Sequence, residues 1–329
     1  LLICNGIYEV GWFVDVITKN KYILDRSIGS KIQTTKFIIW TPIDYIPTIS
    51  FIQHFLDVDM FITMTPVMVN YIKKLLTKQN KLTKLTKLTQ IEWVGHGSDI
   101  LKEEEIKIFP RKQLVKKFNN VRNIIWYGSK LEESDIIILN ANNCKNTTRK
   151  RLDITVNAFI ELVKQNPDKP LRLWIHTDVL TFKRMCIQDK IPIHLYTSKI
   201  ILSNNTVSDK VMSLIYQISQ INLQTSTGEG FHLGFNESSI FGSLQVATDI
   251  LASGYHLSNN RGIPIPVTLT KSVNEAGHEI TIGVASIKDT TEKLSLAVSM
   301  IEDGSCKEMI SKAQEYTKLF TWSNVTEKL

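Results

Sequence analysis

The sequence predicts an α/β chain folded as two doubly wound domains, each a parallel sheet flanked by helices. Short apolar runs rich in β-branched residues alternate with longer amphipathic ones, the rhythm of strand and helix units around parallel sheets. The 329 residues suffice for about two domains of ~150 residues each. With 43% hydrophobic and 22% charged residues, the chain has the composition of a globular protein with buried cores.

The apolar opening "LLICNGIYEVGWFVDVI" (1–17) is broken by Asn5, Gly6 and Glu9 and reads as a strand running into a loop. Strands follow at "KFIIW" (36–40), "DMFITM" (59–64) and "IEWVG" (91–95). Between the last two lies "KKLLTKQNKLTKLTKLT" (73–89), the source of much of the net charge of +7. A three-residue repeat drifts around a helix of ~3.6 residues per turn, so Leu82, Leu85 and Leu88 make a poor core face. A solvated extension is the plain expectation, and peripheral contact with a membrane or an acidic acceptor is the sharper one.

The polar stretch "YGSKLEES" (127–134) predicts the boundary, giving an N-terminal domain over 1–130 and a C-terminal one over 131–310. Further strands are expected at "DIIILN" (135–140), "LRLWIH" (171–176), "HLYT" (194–197), "INLQTS" (221–226) and "LQVATD" (244–249). In "RLDITVNAFIELVKQN" (151–166), Leu152, Val156, Phe159, Ile160 and Val163 share one helical face. A loop and helix fill Asp178 to Lys190, and residues 307–329 read as one long amphipathic helix carrying Trp322.

Several function classes are disfavoured. No run of about 18 uncharged apolar residues occurs, so no membrane-spanning helix is expected. Cys4, Cys144, Cys186 and Cys306 match neither zinc nor disulfide spacing, which points to free thiols in a reducing, cytoplasmic compartment. The basic repeat lacks the interleaved aromatics that stack on bases, so no nucleic-acid partner is expected.

The chemistry concentrates in "TSTGEGFHLGFNESS" (225–239). After a strand and before a helix, this is the loop position at which open parallel sheets bind ligands. Gly228 and Gly230 permit a tight turn and close approach to a ligand. The helix that follows presents unpaired N–H groups and a positive dipole end suited to phosphate. Glu229 precedes that helix and Glu237 lies in its first turn or two, so both carboxylates can accept hydrogen bonds from one hydroxyl-rich ligand.

Those residues resemble a known motif. "GEGFHLGFNE" is similar to the E-G-F-G-L-x-x-x-E signature of retaining glycosyltransferases with the two-domain GT-B fold, in which two Rossmann-like domains face a cleft. "RKRLDITVNAF" (149–159) resembles the family's R-K-R-L-D segment, and "VGHGSD" with "IFP" (94–99 and 108–110) resembles its H-G-x-D and F-x-P segment. "VSDKVMSLIYQISQINLQTSTGEGF" (207–231) is similar to the helix, strand and acidic loop around the nucleotide base, and "FTWSNV" to a closing helix (311–329) that returns to the first domain. The likeness covers the second domain well and the first from about residue 36 onward. It implies that the family's first strand and glycine-rich loop would precede Leu1.

The resemblance implies a hexosyltransferase working from a nucleotide-sugar such as a UDP- or GDP-sugar, with a glycan, protein or lipid acceptor. Glu229 would then be the catalytic residue beside the donor sugar and Glu237 the ribose ligand. Lys150, with Arg149, would grip the diphosphate, and Gly230, Phe231, His232 and Leu233 would form the donor loop. Two positions depart from the pattern. Cys144, beside Lys145, stands where the family has Arg, and His232 stands where it has Gly, placing a side chain where backbone usually approaches the sugar.

The residues argue for the same site without the family. A departing nucleoside diphosphate carries about two negative charges and gains more as the sugar bond breaks, so it needs a metal or fixed cations. There is no D-x-D pair at a strand end, so the expected solution uses no metal and no cofactor: Lys150, with Arg149 or Arg151, and the helix dipole after Glu229. Asp44 in "WTPIDYIP" and His96, with Asp99, are candidates for the acceptor side or the cleft. The rival reading is a non-catalytic protein of the same fold that binds a nucleotide or glycan.

Overall fold

The computed structural model describes residues 2–4, 38–52, 58–78, 90–98, 107–120, 125–142, 147–204, 207–274 and 277–328. Residues 79–89 of the basic repeat, together with Asp99, Cys144 and Lys145, lie outside the described residues.

In chain order the first lobe contains β1 (Leu2–Cys4), β2 (Ile38–Trp40), β3 (Ile46–Pro47), α1 (Ile49–Ile52), β4 (Met60–Thr63), α2 (Pro66–Lys78) and β5 (Gln90–Trp93). Strands β1, β2, β4 and β5 lie side by side in that order, all parallel. Ile39, Trp40, Phe61 and Ile62 are all buried, so successive residues of β2 and β4 are covered on both faces of the sheet and their sequences read as unbroken apolar runs. Helix α2 begins at Pro66, whose missing N–H costs nothing at a first helical position. Its buried stripe of Met68, Val69, Ile72 and Leu76 joins Ile39 and Phe61 in one core.

The second lobe begins earlier than the sequence suggests. Helix α3 (Arg111–Asn120) packs Leu114, Val115 and Phe118 against Leu131, Ile137 and Trp174, and β6 (Ile125–Tyr127) joins the second sheet as its antiparallel edge. The segment 127–134 is thus a turn within this lobe. Asn119 fastens it, donating from Nδ2 to Leu131 O and accepting at Oδ1 from Leu131 N.

Continuing along the chain are β7 (Ile136–Ala141), α4 (Thr147–Lys150), α5 (Leu152–Gln165), β8 (Leu171–Thr177), α6 (Val179–Gln188), β9 (Ile200–Asn204), α7 (Asp209–Ile218) and β10 (Ile221–Gln224). Then come α8 (Leu233–Ile240), β11 (Leu244–Thr248), α9 (Leu251–Leu257), β12 (Ile263–Ile265), β13 (Val267–Val273), β14 (Glu279–Ala285) and α10 (Ile287–Asp303). Among the described residues the second sheet runs β12-β11-β10-β7-β8-β9-β6, parallel except for β6. All five residues of the predicted face of α5 are buried, in a core that α10 shares through Leu294, Ala297 and Val298. At about 1.5–3 kcal/mol per large side chain, that face anchors the helix that follows the basic cluster.

Three other expectations are corrected. "HLYT" is a 3-10 turn (Ile193–Tyr196) with no buried residue, entered from Pro192; the strand is the next run, β9, whose Ile200, Ile201 and Leu202 are buried. The long terminal helix is broken into α11 (Lys307–Thr317), a 3-10 turn (Lys318–Phe320) and α12 (Trp322–Thr326). Thr321 makes the break: its extended backbone restarts the chain and its Oγ1 accepts from Asn324 N at 3.2 Å, a cap that outcompetes helix continuation. The antiparallel hairpin β13–β14, unforeseen in a parallel α/β reading, pairs through β14 with β3 of the first lobe, Ile280 opposite Pro47 and Thr281 opposite Ile46.

That pairing joins the lobes, and apolar packing reinforces it, because Ile43, Tyr45 and Ile52 share a cluster with Ile250, Leu251 and Ile280. At the other end the tail returns to the first lobe, where Ser98 N donates to Phe320 O at 3.0 Å and the Trp322 ring lies 5.0 Å from that of His96. No helix among the described residues is long and apolar enough to cross a membrane, and Cys186 and Cys306 are both buried.

Candidate functional site between the lobes

The carboxyl end of β10 runs into the loop 225–232 and then α8, so the acidic loop sits where a parallel sheet opens toward a ligand. Arg151, left-handed at φ 46°, makes the break between α4 and α5. The break and the loop are stitched together: Thr227 N donates to Arg149 O at 2.8 Å and the Thr225 hydroxyl to Arg151 O at 2.9 Å. This fixes which basic residues reach the acid. Arg151 turns to Asp153 at 2.8 Å, offsetting a cation at a helix N-terminus, whereas Arg149 and Lys150 turn to Glu229.

Lys150 Nζ lies 2.6 Å from Glu229 Oε1 and Arg149 Nη1 3.0 Å from Oε2. Asp44 reaches across from the first lobe, its Oδ2 3.4 Å from Arg149 Nη1 and its Oδ1 accepting from Gly230 N at 2.8 Å. Burial alone would raise the Glu229 pKa, but Lys150 and Arg149 beside it hold the carboxyl well below the usual range, so Glu229 is ionised at neutral pH. Asp44 is held above its usual value by burial, with Arg149 opposing.

The two glycines are required, though by a different neighbour than the sequence suggests. A Cβ on Gly228 would lie 1.9 Å from Asp44 O, and one on Gly230 2.4 Å from Pro42 Cβ. Their backbone approaches the first lobe itself. His232 then takes the left-handed conformation, φ 67° and ψ 60°, at the head of α8, and its ring caps nothing. An L side chain pays roughly 1–2 kcal/mol there, a cost that the glycine of the resembled motif avoids. Its ring is buried, with neither Nδ1 nor Nε2 hydrogen-bonded, and burial lowers its pKa to about 4. Glu237, one turn further on, accepts from the Tyr216 hydroxyl at 2.7 Å; burial raises its pKa while that bond opposes the rise.

Behind the loop, the His256 Nε2–H donates to Phe231 O, so Nδ1 is the ring's acceptor and takes a bond from the Tyr316 hydroxyl at 3.1 Å. Helix α11 thereby supports the acidic loop through one neutral histidine. The Phe231 ring meets Phe320, His256 and His96 at 5.1, 5.0 and 6.1 Å, and His96 also stacks on Trp40 at 5.9 Å.

These groups enclose a cavity of about 550 Å³ between the lobes. Asp44, His96, Lys150, Glu229, Gly230, Phe231, His232, Leu233 and Glu237 all line it. Arg149, the remaining candidate, sits behind them on Glu229 and Asp44. Sequence reasoning missed Pro42, Met64, Asn142, Tyr216 and Gln224 in the lining. Asn142 and Gln224 were within reach of it, since both close the carboxyl ends of strands, and they bond to each other at 2.7 Å. Among the described residues no three His, Cys, Asp or Glu side chains gather as a metal set.

No family model and no curated protein matches the sequence. Solved structures do. An α,α-trehalose 6-phosphate synthase from Burkholderia multivorans superposes with a TM-score of 0.67 at 9% identity, over 99% of this chain and 68% of that one. A sucrose-phosphate synthase from Thermosynechococcus elongatus gives 0.63 at 12%, over 99% and 71%. The pneumococcal O-GlcNAc transferase GtfA, in complex with UDP and GlcNAc, gives 0.55 at 16%, over 97% and 58%. The fold is that of the GT-B glycosyltransferases. The chain spans 58% of the length of GtfA, and its cavity lies between the two GT-B lobes.

Proposed function

We propose that this GT-B chain binds a nucleotide-sugar in the interlobe cavity and transfers the sugar, with retention of configuration, to an acceptor hydroxyl of a glycan, protein or lipid. The observation that carries the reading is the convergence of Lys150, Glu229, Glu237 and the head of α8 on one 550 Å³ cavity, with Arg149 behind Glu229. Two carboxylates, a paired cation cluster and a helix N-terminus match the parts of one ligand: ribose and sugar hydroxyls, and a diphosphate. The volume lies within the ~300–1,000 Å³ of small-molecule sites.

In this reading Glu237, steadied by Tyr216, accepts from ribose hydroxyls. Lys150 faces the diphosphate, with Arg149 behind it on Glu229, and stabilises the charge that develops on the departing oxygen, aided by the dipole of α8. No metal is assigned to this step. Asp44 and His96 form the first-lobe side of the cavity, where the acceptor would enter. The chemistry calls for a water-poor cleft once substrates are bound, and for leaving-group stabilisation before any strong base.

A second reading, nucleotide or glycan binding without turnover, is favoured by one observation: Glu229 is engaged by both cations and His232 crowds the donor loop. Calorimetry with UDP, GDP and ADP tests the shared claim, and no binding by any of the three would sink both readings. Release of nucleoside diphosphate from the matching nucleotide-sugar separates them, and the anomeric coupling constant of the product reports retention.

A further inference from the structure

The strongest unexplained feature of the cavity is the imidazole of His232. It is only 6% exposed, it lines the cavity, and neither ring nitrogen has a hydrogen-bond partner among the described residues. Its backbone occupies a region that an L residue enters at a cost, and the ring supplies no cap to α8 in return. An unpaired buried polar group is destabilising, since it has given up water without gaining a partner. Strain and desolvation therefore coincide at one residue facing the one cavity in which nine of the candidate residues meet. Local misfits of this kind are characteristic of sites that a ligand completes.

The charge state of the ring narrows the ligand. Burial keeps His232 neutral at physiological pH, so it offers one N–H donor and one bare acceptor nitrogen, directed to opposite edges of the ring. A diphosphate presents acceptors alone and would leave the bare nitrogen unmatched. A polyol presents groups that both donate and accept, so two of its oxygens can satisfy both edges. We propose that His232 is a specificity-determining residue that binds the sugar ring of the donor, donating to one hydroxyl oxygen and accepting from another. The proposal rests on the nucleotide-sugar reading given above and deepens it. The glycine at this position in the resembled motif has no such group, so the contact would belong to this chain.

The test compares matched pairs, UDP with UDP-glucose and UDP-N-acetylglucosamine, GDP with GDP-mannose, and ADP with ADP-glucose, by calorimetry on the wild type and two variants. H232G removes the ring and relieves the backbone. H232N keeps a donor and an acceptor on a residue that also tolerates the left-handed region. The expected result is that H232G binds the free nucleotide within about twofold of wild type but loses about tenfold in affinity for the nucleotide-sugar, as for one lost buried hydrogen bond. H232N should recover part of that loss. Unchanged or tighter nucleotide-sugar binding by H232G overturns the proposal, as does an equal loss for the free nucleotide and its sugar. Failure of the wild type to bind any nucleotide overturns the proposed function, and this inference with it.

Discussion

Three buried histidines should make the fold sensitive to mild acid. Burial lowers the pKa values of His176 and His232 to about 4 and that of His256 to about 3. In the unfolded chain each titrates near the ordinary value of about 6.5. Between that pH and the folded values the unfolded state holds more protons, so stability rises with pH and falls as acid is added. Three such groups give a slope of about 4 kcal/mol per pH unit, with each histidine costing about 2 kcal/mol between pH ~6.5 and ~5. That loss is comparable to the 5–15 kcal/mol that typically holds a domain together, so unfolding should set in near pH 5. The depressed Glu229 acts in the same sense but below this window, since its stabilisation is lost only as pH falls beneath its unfolded pKa. The raised Asp44 and Glu237 act oppositely and soften the lower end. Urea titrations followed by tryptophan fluorescence, run at half-unit steps from pH ~7 to ~5, measure the slope. H256Q removes one titrating group and should lower it by about 1.4 kcal/mol per pH unit. Equal stability at the two ends of that range, or an H256Q slope equal to that of the wild type, would refute the reasoning.

Three further outcomes are expected. K150M should weaken UDP binding about tenfold or more while leaving UMP nearly unaffected, measured by calorimetry, because under the proposed function it removes the cavity-lining cation that would meet the outer phosphate. G230A should destabilise the chain by about 1–3 kcal/mol in urea, since the new Cβ would meet Pro42 and Ile43 backbone across the lobe interface; an unchanged midpoint would mean that the lobes do not approach so closely. D44N keeps the Oδ1 acceptor for Gly230 N but removes a negative charge beside Arg149, so UDP affinity should rise several-fold and its salt dependence should steepen.

How much of this was legible in the sequence depended on the range of the interaction. Strands β2, β4 and β7 were readable because parallel strands covered on both faces keep nearly unbroken apolar runs, and β8, β10 and β11 because apolar residues recur in short runs between turn signals. The acidic loop was readable because its glycines, carboxylates and flanking elements are all local. Turns that mimic strands were not: "HLYT" has strand-like residues, yet none of the four is buried, and the run that follows takes the place in the sheet. The boundary was misplaced because polarity marks a turn as readily as a linker, and only the packing of Leu114 and Phe118 on Leu131 and Ile137 assigns 111–120 to the second lobe. The pairing of β14 with β3 joins residues more than 200 positions apart, and nothing local encodes it. The partnerless state of the His232 ring is likewise a property of its surroundings, although the departure from glycine pointed to the position.

The charge balance of the site decides what a ligand must do on arrival. Two cations, Arg149 and Lys150, meet two carboxylates, Asp44 and Glu229, so the cluster holds no surplus positive charge among these four. A diphosphate entering it must draw Lys150 and Arg149 partly away from Glu229, and the carboxylate they leave is 10% exposed and strongly ionised. An abandoned buried carboxylate is costly, so the exchange is favourable only if something else takes up Glu229 at the same moment. A sugar hydroxyl attached to that same diphosphate is a donor suited to the task. If the site takes a nucleotide-sugar, as proposed, the arrangement couples the two ends of that ligand: the phosphates gain their cations most readily when a sugar is present to satisfy the acid. Under the proposed function this would favour the intact nucleotide-sugar over the spent nucleotide, the order of affinity that product release requires.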